Sequence, residues 1–227
     1  MRFATSLCFG VIAAAVFTGP AQPQDAGDSL RLYAVHITRT PKESWTGNGV
    51  YLGRGIVITA AHVAGLGFWR RPRVEIAGST LPTKVLKDGH FHNVDITLLS
   101  VDEAAVPVRL GLRRMPLCRN PLWSNEPVIV ATPEGVGRAH VMAPSLLPPS
   151  IPAEYRSVIS YVAETGDSGS GIFDANKKCL LGIISGKISQ HPIRTGSGLA
   201  FKPSRDIAKY FVPASTIADF IPPDVRF

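Results

Sequence analysis

Ser168 lies in the stretch Gly166-Asp167-Ser168-Gly169-Ser170-Gly171. Glycine tolerates backbone angles closed to other residues, so the chain can turn there sharply enough to expose a hydroxyl. N–H groups around such a turn can converge on one point and hold the charge that develops when a carbonyl is attacked. Alone, the stretch reads equally well as a Gly/Ser turn between two strands. A serine hydroxyl is a poor nucleophile at neutral pH. It needs a histidine to take its proton, and the histidine needs a buried acid to fix its tautomer and steady the imidazolium. His62 follows the apolar run Ile56-Val57-Ile58-Thr59-Ala60-Ala61, and Asp95 leads into Ile96-Thr97-Leu98-Leu99. All three residue types therefore stand at the edge of an apolar segment.

The elements that must position them are short strands. Residues 30–38 alternate, with Leu32, Ala34 and His36 on one side and Tyr33, Val35 and Ile37 on the other, and a polar spacer precedes them. Val50-Tyr51-Leu52, the turn Gly53-Arg54-Gly55 and residues 56–59 predict a hairpin that delivers His62 at its end. Further strands are expected at Val74-Glu75-Ile76, 83–86, 96–101, 127–132, 139–142, 157–162 and 197–201. A hairpin is expected where Gly171-Ile172-Phe173 and residues 179–184 flank the turn Asp174-Ala175-Asn176-Lys177. Ile217, Phe220 and Ile221 give the chain end a short helical pattern that Pro222-Pro223 stops. The 21 glycines and 19 prolines fit a turn-rich β-fold better than a helical one.

Thr59-Ala60-Ala61-His62, the Asp95-Ile96-Thr97-Leu98-Leu99 run and Gly166-Asp167-Ser168-Gly169 occur in the order His, Asp, Ser. On these motifs the chain resembles the trypsin-like (chymotrypsin-fold) serine peptidases, from about residue 33 to residue 221. The resemblance implies an all-β fold of two six-stranded antiparallel barrels with a short C-terminal helix. The first barrel would span residues 30–112 and carry His62 and Asp95. A linker would span 113–125, and the second barrel, 126–221, would carry Ser168. It further implies a triad of His62, Asp95 and Ser168, with an oxyanion hole from the N–H groups of Gly166 and Ser168. Ser185 and Gly186 would lie on an edge strand that pairs with an extended peptide. Val162, six residues before the serine, would floor the pocket for the side chain before the cut, with Glu164 near its mouth. An apolar floor disfavours a cation, which would lose its water and gain no partner. Small-to-medium uncharged side chains are therefore expected before the scissile bond.

Members of that family that are activated by proteolysis carry an Ile-Val-Gly-Gly-like new N-terminus, whose amine pairs with the acid before the serine. No such sequence is found near the expected mature start, so Asp167 needs another partner or solvent, and activity without zymogen cleavage is expected. Two rivals are weighed. One is a peptide-binding module of the same fold that no longer cleaves, which normally lacks a triad member. The other is an α/β-hydrolase esterase. That family has the order Ser, acid, His and a glycine where this chain has Ser170.

Arg2 followed by an apolar run and then Gly19-Pro20-Ala21 predicts a cleaved signal peptide over residues 1–21. An extracytoplasmic location, periplasmic or secreted, is expected, with no membrane insertion once the segment is removed. Cys8 would leave with it, so Cys118 and Cys179 remain in an oxidising compartment. One bridge between them is the simplest outcome, and two separate thiols the alternative. No cysteine flanks His62, which makes the chain more like the simpler bacterial members of the family than the animal ones. The net charge of +7 includes clusters at Arg70, Arg71 and Arg73 and at Arg113 and Arg114. No nucleic-acid motif accompanies them, so they read as solvated loops, and a peptide or protein is the expected partner. His90 and His92 form an H-x-H pair without a third ligand, so neither a metal nor any other cofactor is expected.

Overall fold

The computed structural model describes residues 24–40, 42, 44, 46–65, 70–160, 166–190 and 205–227. In chain order its elements are α1 (Gln24–Arg31), β1 (Ala34–Thr38), β2 (Gly47–Gly53), β3 (Ile56–Thr59) and the single turn α2 (Ala61–Ala64). Next come β4 (Arg73–Ile76), β5 (Ser79–Pro82), β6 (Lys84–Asp88), β7 (Thr97–Ser100) and α3 (Val108–Gly111). The second half holds β8 (Pro127–Ala131), β9 (Val136–His140), β10 (Val158–Ile159), β11 (Gly171–Asp174), β12 (Leu180–Gln190), β13 (Arg205–Pro213) and α4 (Ala214–Phe220). The strands form two antiparallel sheets, ordered β5-β4-β1-β2-β3-β7-β6 and β10-β13-β12-β11-β8-β9. This is the expected all-β double barrel with a short C-terminal helix.

The first sheet has seven strands where six were expected. Ala77 and Gly78 both take positive φ, +50° and +81°, and this tight turn folds β5 back on β4. Ser79-Thr80-Leu81-Pro82 is mostly exposed and lacks apolar alternation, so nothing in its pattern announces a strand. Residues 30–33 also differ from expectation. The supposed polar spacer begins a helix, α1, whose last turn carries Leu30, only 2 % exposed, into the core. The strand begins at Ala34, and from there the expected alternation holds, with Val35 and Ile37 inward. His36 faces the other way and lies 3.2 Å from Glu134. Of residues 157–162, only Val158 and Ile159 form a strand, 161 and 162 lying outside the described residues, as do 197–201.

One apolar core joins the two sheets. Ile37, Val50, Ile58 and Leu98 of the first pack in the same cluster as Ile129, Phe173 and Ile183 of the second and Ile217 of α4. A second core, with Val130, Ile172, Leu181 and Phe211, lies within the second sheet. β2 and β3 are buried along their whole length, which explains why Ile56-Val57-Ile58 shows no polar alternation. Lys87 Nζ donates to the Phe220 carbonyl at 2.7 Å, tying α4 to the first sheet. The connection between the sheets is itself pinned to the second. Cys118 N donates to Leu180 O at 2.9 Å, Leu180 N to Pro116 O at 2.8 Å, and Cys118 and Cys179 are joined in a disulfide. Among the described residues, no helix is long and apolar enough to cross a membrane.

Candidate active site

α2 starts directly where β3 ends. Ala60 and Ala61, both fully buried, leave room for this turn to lie against the sheet, and it presents His62 with about a third of its side chain exposed. Asp95 sits just before β7, which pairs with β3, so the sheet register brings acid and base together. The His62 N–H donates to Asp95 Oδ1 at 3.0 Å, and His62 Nδ1 lies 2.7 Å from Asp95 Oδ2. An ionised carboxylate only accepts, so Nδ1 carries the proton and Nε2 keeps its lone pair for a substrate-side proton. Asp95 is 4 % exposed. Burial pushes its pKa up, but the hydrogen bonds from His62 and Ser185, with the charge of His62, outweigh this and hold it below the ordinary value. The acid is therefore ionised at neutral pH.

Three residues steady this pair. Ser185 Oγ donates to Asp95 Oδ2. Arg39 caps the end of α2, with Nη2 donating to His62 O at 2.8 Å and Nε to Val63 O at 3.2 Å. Phe91 meets the His62 ring edge-on, with centroids 5.4 Å apart.

The Ser168 loop approaches from the second sheet. Asn48 N donates to Ser168 O at 2.8 Å, Gly169 N to Ile184 O at 2.7 Å and Ile184 N to Ser170 O at 2.9 Å. Gly169 has φ +84°, and a Cβ there would lie 1.9 Å from the Asn48 carbonyl oxygen, so only glycine fits. The loop also comes close to α2. A Cβ on Gly47 would stand 2.7 Å from Val63 Cγ2 and 2.8 Å from Ser168 O. Ser168 and the turn bearing His62 thus meet across a glycine too small to hold them apart. Among the described residues, neither the Gly166 nor the Ser168 N–H makes a hydrogen bond, and none joins Ser168 Oγ to the His62 ring. Hydrogen bonds of this kind are often long in a free enzyme and tighten only with substrate bound.

Ser185 and Gly186 lie on β12, at an irregularity where Gly186 pairs with Tyr210. Beyond Ile184, β12 pairs only with β13 among the described residues, so its other edge carries unpaired backbone groups. Ser185 is 2 % exposed, and its hydroxyl is turned to Asp95, a role that the resemblance had not assigned here. Val162 and Glu164 lie outside the described residues. Asp167 has a buried cation nearby in Lys209 of β13, 6 % exposed. Burial pushes the Lys209 pKa down, and the Asp167 charge partly offsets this. His90 and His92 stack on an exposed loop, with centroids 5.6 Å apart. One trio of potential metal ligands lies close together among the described residues, Cys118, Asp174 and Cys179, and its two sulfurs are bonded to each other.

Arg39, Phe91 and Asn48 are contributors that sequence reasoning missed as parts of this site, and for Ser185, expected on the peptide-pairing strand, it missed the contact to Asp95. Each acts across a long sequence separation, and only Asn48 carried a local sign, its place between two glycines.

No family model and no curated protein matches the sequence. Solved structures match the fold. The active form of the Rv3671c protease from M. tuberculosis superposes with a TM-score of 0.61 at 18% identity, over 96% of this chain and 92% of that one. A serine endoprotease from Yersinia pestis gives 0.60 at 14% identity, over 88% and 65%. The MamO protease domain from Magnetospirillum magneticum gives 0.56 at 16% identity, over 85% and 97%. The chain has the fold of the trypsin-like serine proteases.

Proposed function

We propose that the chain is a serine endopeptidase that acts outside the cytoplasm, in the periplasm or after secretion. The observation that carries this reading is the ionised, buried Asp95 on His62 Nδ1, opposite a serine loop whose Gly166 and Ser168 N–H groups make no other hydrogen bond among the described residues. In the proposed reaction Ser168 Oγ attacks the peptide carbonyl carbon while its proton passes to His62 Nε2. The tetrahedral oxyanion is held by the N–H groups of Gly166 and Ser168. The C–N bond then breaks, and His62 returns the proton to the leaving amine. Water, deprotonated by His62 in turn, hydrolyses the acyl-enzyme and restores the serine. Asp95 remains ionised throughout and steadies the imidazolium.

The edge of β12 that is unpaired after Ile184 among the described residues supports pairing with an extended peptide there. The apolar Val162 supports an uncharged residue before the cut. The signal-like residues 1–21 and the Cys118–Cys179 bridge support the location. Profiling a peptide library with the wild type and Ser168→Ala tests the reading. Cleavage after uncharged residues by the wild type alone is expected. A dominant Arg or Lys before the cut would overturn the assigned specificity, and cleavage by Ser168→Ala would overturn the nucleophile.

A further inference from the structure

One side chain of the first sheet reaches across to the nucleophile loop of the second. Asn48, in β2, is 1 % exposed. Its Nδ2 donates to Ser170 Oγ at 3.0 Å and to Gly166 O at 3.3 Å. Its backbone N holds Ser168 O, and its carbonyl oxygen, fixed by Thr59 Oγ1 at 2.6 Å, backs directly onto Gly169. This residue therefore touches positions 166, 168, 169 and 170 at once.

The chemistry of the amide fits this placement. An NH₂ group has two hydrogens, and two acceptors face it. The reverse orientation would set Oδ1 against the Gly166 carbonyl, two acceptors nose to nose, so the contacts fix which way the amide points. Asn48 Oδ1 is left buried without a hydrogen bond among the described residues. Burying an unsatisfied acceptor is unfavourable for folding alone. That cost is offset through the NH₂ group, whose two hydrogens both go to the Ser168 loop.

We infer that Asn48 is a positioning residue for the nucleophile: its side chain clamps the Gly166 carbonyl and the Ser170 hydroxyl across the two sheets, so that the Gly166 and Ser168 N–H groups stay aimed at one point. This rests on the peptidase reading above. The Gly166 carbonyl is the critical contact. With its peptide plane held, the backbone of residues 166–168 has few ways to turn its N–H groups aside. A serine at position 48 is too short to reach both acceptors, and an aspartate would press a carboxylate against the carbonyl.

The test uses the full chain and two readouts, amide hydrogen exchange over residues 166–171 and the rate at which a fluorophosphonate probe labels Ser168. In Asn48→Ala, exchange in the loop is expected to quicken at least tenfold while the β2–β3 strands stay protected. Labelling is expected to slow on the order of a hundredfold, the scale for a displaced catalytic geometry. Binding of a product-like peptide should change less than twofold. Asn48→Ser keeps one donor, should lie between the two, and serves if the alanine variant folds poorly. Unchanged loop exchange, or labelling at the wild-type rate, overturns the clamp. If the wild type itself is not labelled, the peptidase reading fails. The exchange arm then decides the clamp alone, quickened loop exchange supporting it and unchanged exchange rejecting it.

Discussion

His62 and Asp95 are held through their side chains, whereas the Ser168 loop is held through its main chain. Around the acid–base pair, Ser185 and the His62 ring and N–H all converge on one carboxylate, and Arg39 fastens the turn behind it. Around Ser168, the carbonyls of Gly166, Ser168 and Ser170 are engaged, and the N–H groups at 166 and 168 are not, among the described residues. The difference follows from the work proposed for each region. A base needs one tautomer and one ring orientation, so its contacts are directional and charged. An oxyanion site needs open donors, so its loop is anchored by carbonyls and by the N–H groups of Gly169 and Ser170, which leaves those of Gly166 and Ser168 open among the described residues.

The largest effects should come from removing either region's reacting group. Ser168→Ala and His62→Ala should each lower peptide hydrolysis by roughly four powers of ten or more. The melting temperature should stay within a few degrees, because both side chains are only partly buried. Asp95→Asn should fall by about 10⁴ for a different reason, the loss of the tautomer that leaves Nε2 free. Kinetics on one peptide beside thermal melts would check all three, and an active Asp95→Asn would break the contrast between the regions.

Next in size is the disulfide, which belongs to neither region's chemistry. Cys118→Ala with Cys179→Ala should remove about 2–4 kcal/mol of stability. It should leave kcat nearly unchanged, since the bridge ties the inter-sheet connection to the residue before β12 and touches neither His62, Asp95 nor Ser185. Urea denaturation and steady-state kinetics separate the two effects.

A smaller and more selective change is expected from Ser185→Ala. A hydrogen bond to a charged group contributes about 1.5–3 kcal/mol, so activity should fall roughly ten- to a hundredfold. Losing this donor also removes one of the contacts that hold the Asp95 pKa down. The same carboxylate affects stability. Its folded pKa lies below the ordinary 3.8, so it stabilises the fold above that pH, and this contribution is lost as the pH falls through the folded value. Acid denaturation of Asp95→Asn should therefore show a shallower loss of stability below pH 3.8 than the wild type.

The smallest effect concerns Lys209 behind the nucleophile loop. Its folded pKa lies below the ordinary 10.5, so the folded chain binds fewer protons than the unfolded one in the window just below that value. Stability should rise with pH there, and Lys209→Met should flatten the rise in denaturation series run toward pH 10.5. A steeper rise in the variant would show that its pairing with Asp167 outweighs burial.

The three side chains proposed to react could be singled out because His62 and Asp95 each stand next to an apolar run and Ser168 stands among glycines. Ile56-Val57-Ile58 and Leu98-Leu99 are central strands buried by both sheets, and short motifs at their ends survive in the sequence pattern. The hairpin of β2 and β3 and the terminal helix α4 were legible for the same local reasons. What failed was either featureless or non-local. β5 is an exposed four-residue strand made by a turn, and α1 hides a buried Leu30 at the end of a polar stretch. The supports of the site, Ser185 on Asp95 and Asn48 on residues 166–170, join residues 90 and more than a hundred positions apart. No periodicity within a strand records such a pairing.

The most direct test of the central claim maps where a fluorophosphonate reacts. Labelled protein is digested, and the adduct is located by mass spectrometry in the wild type, Ser168→Ala and His62→Ala. A single adduct on Ser168 is predicted for the wild type, with none in Ser168→Ala and a rate lowered by several powers of ten in His62→Ala. An adduct on any other residue, or labelling of Ser168 that does not depend on His62, would contradict the proposed triad.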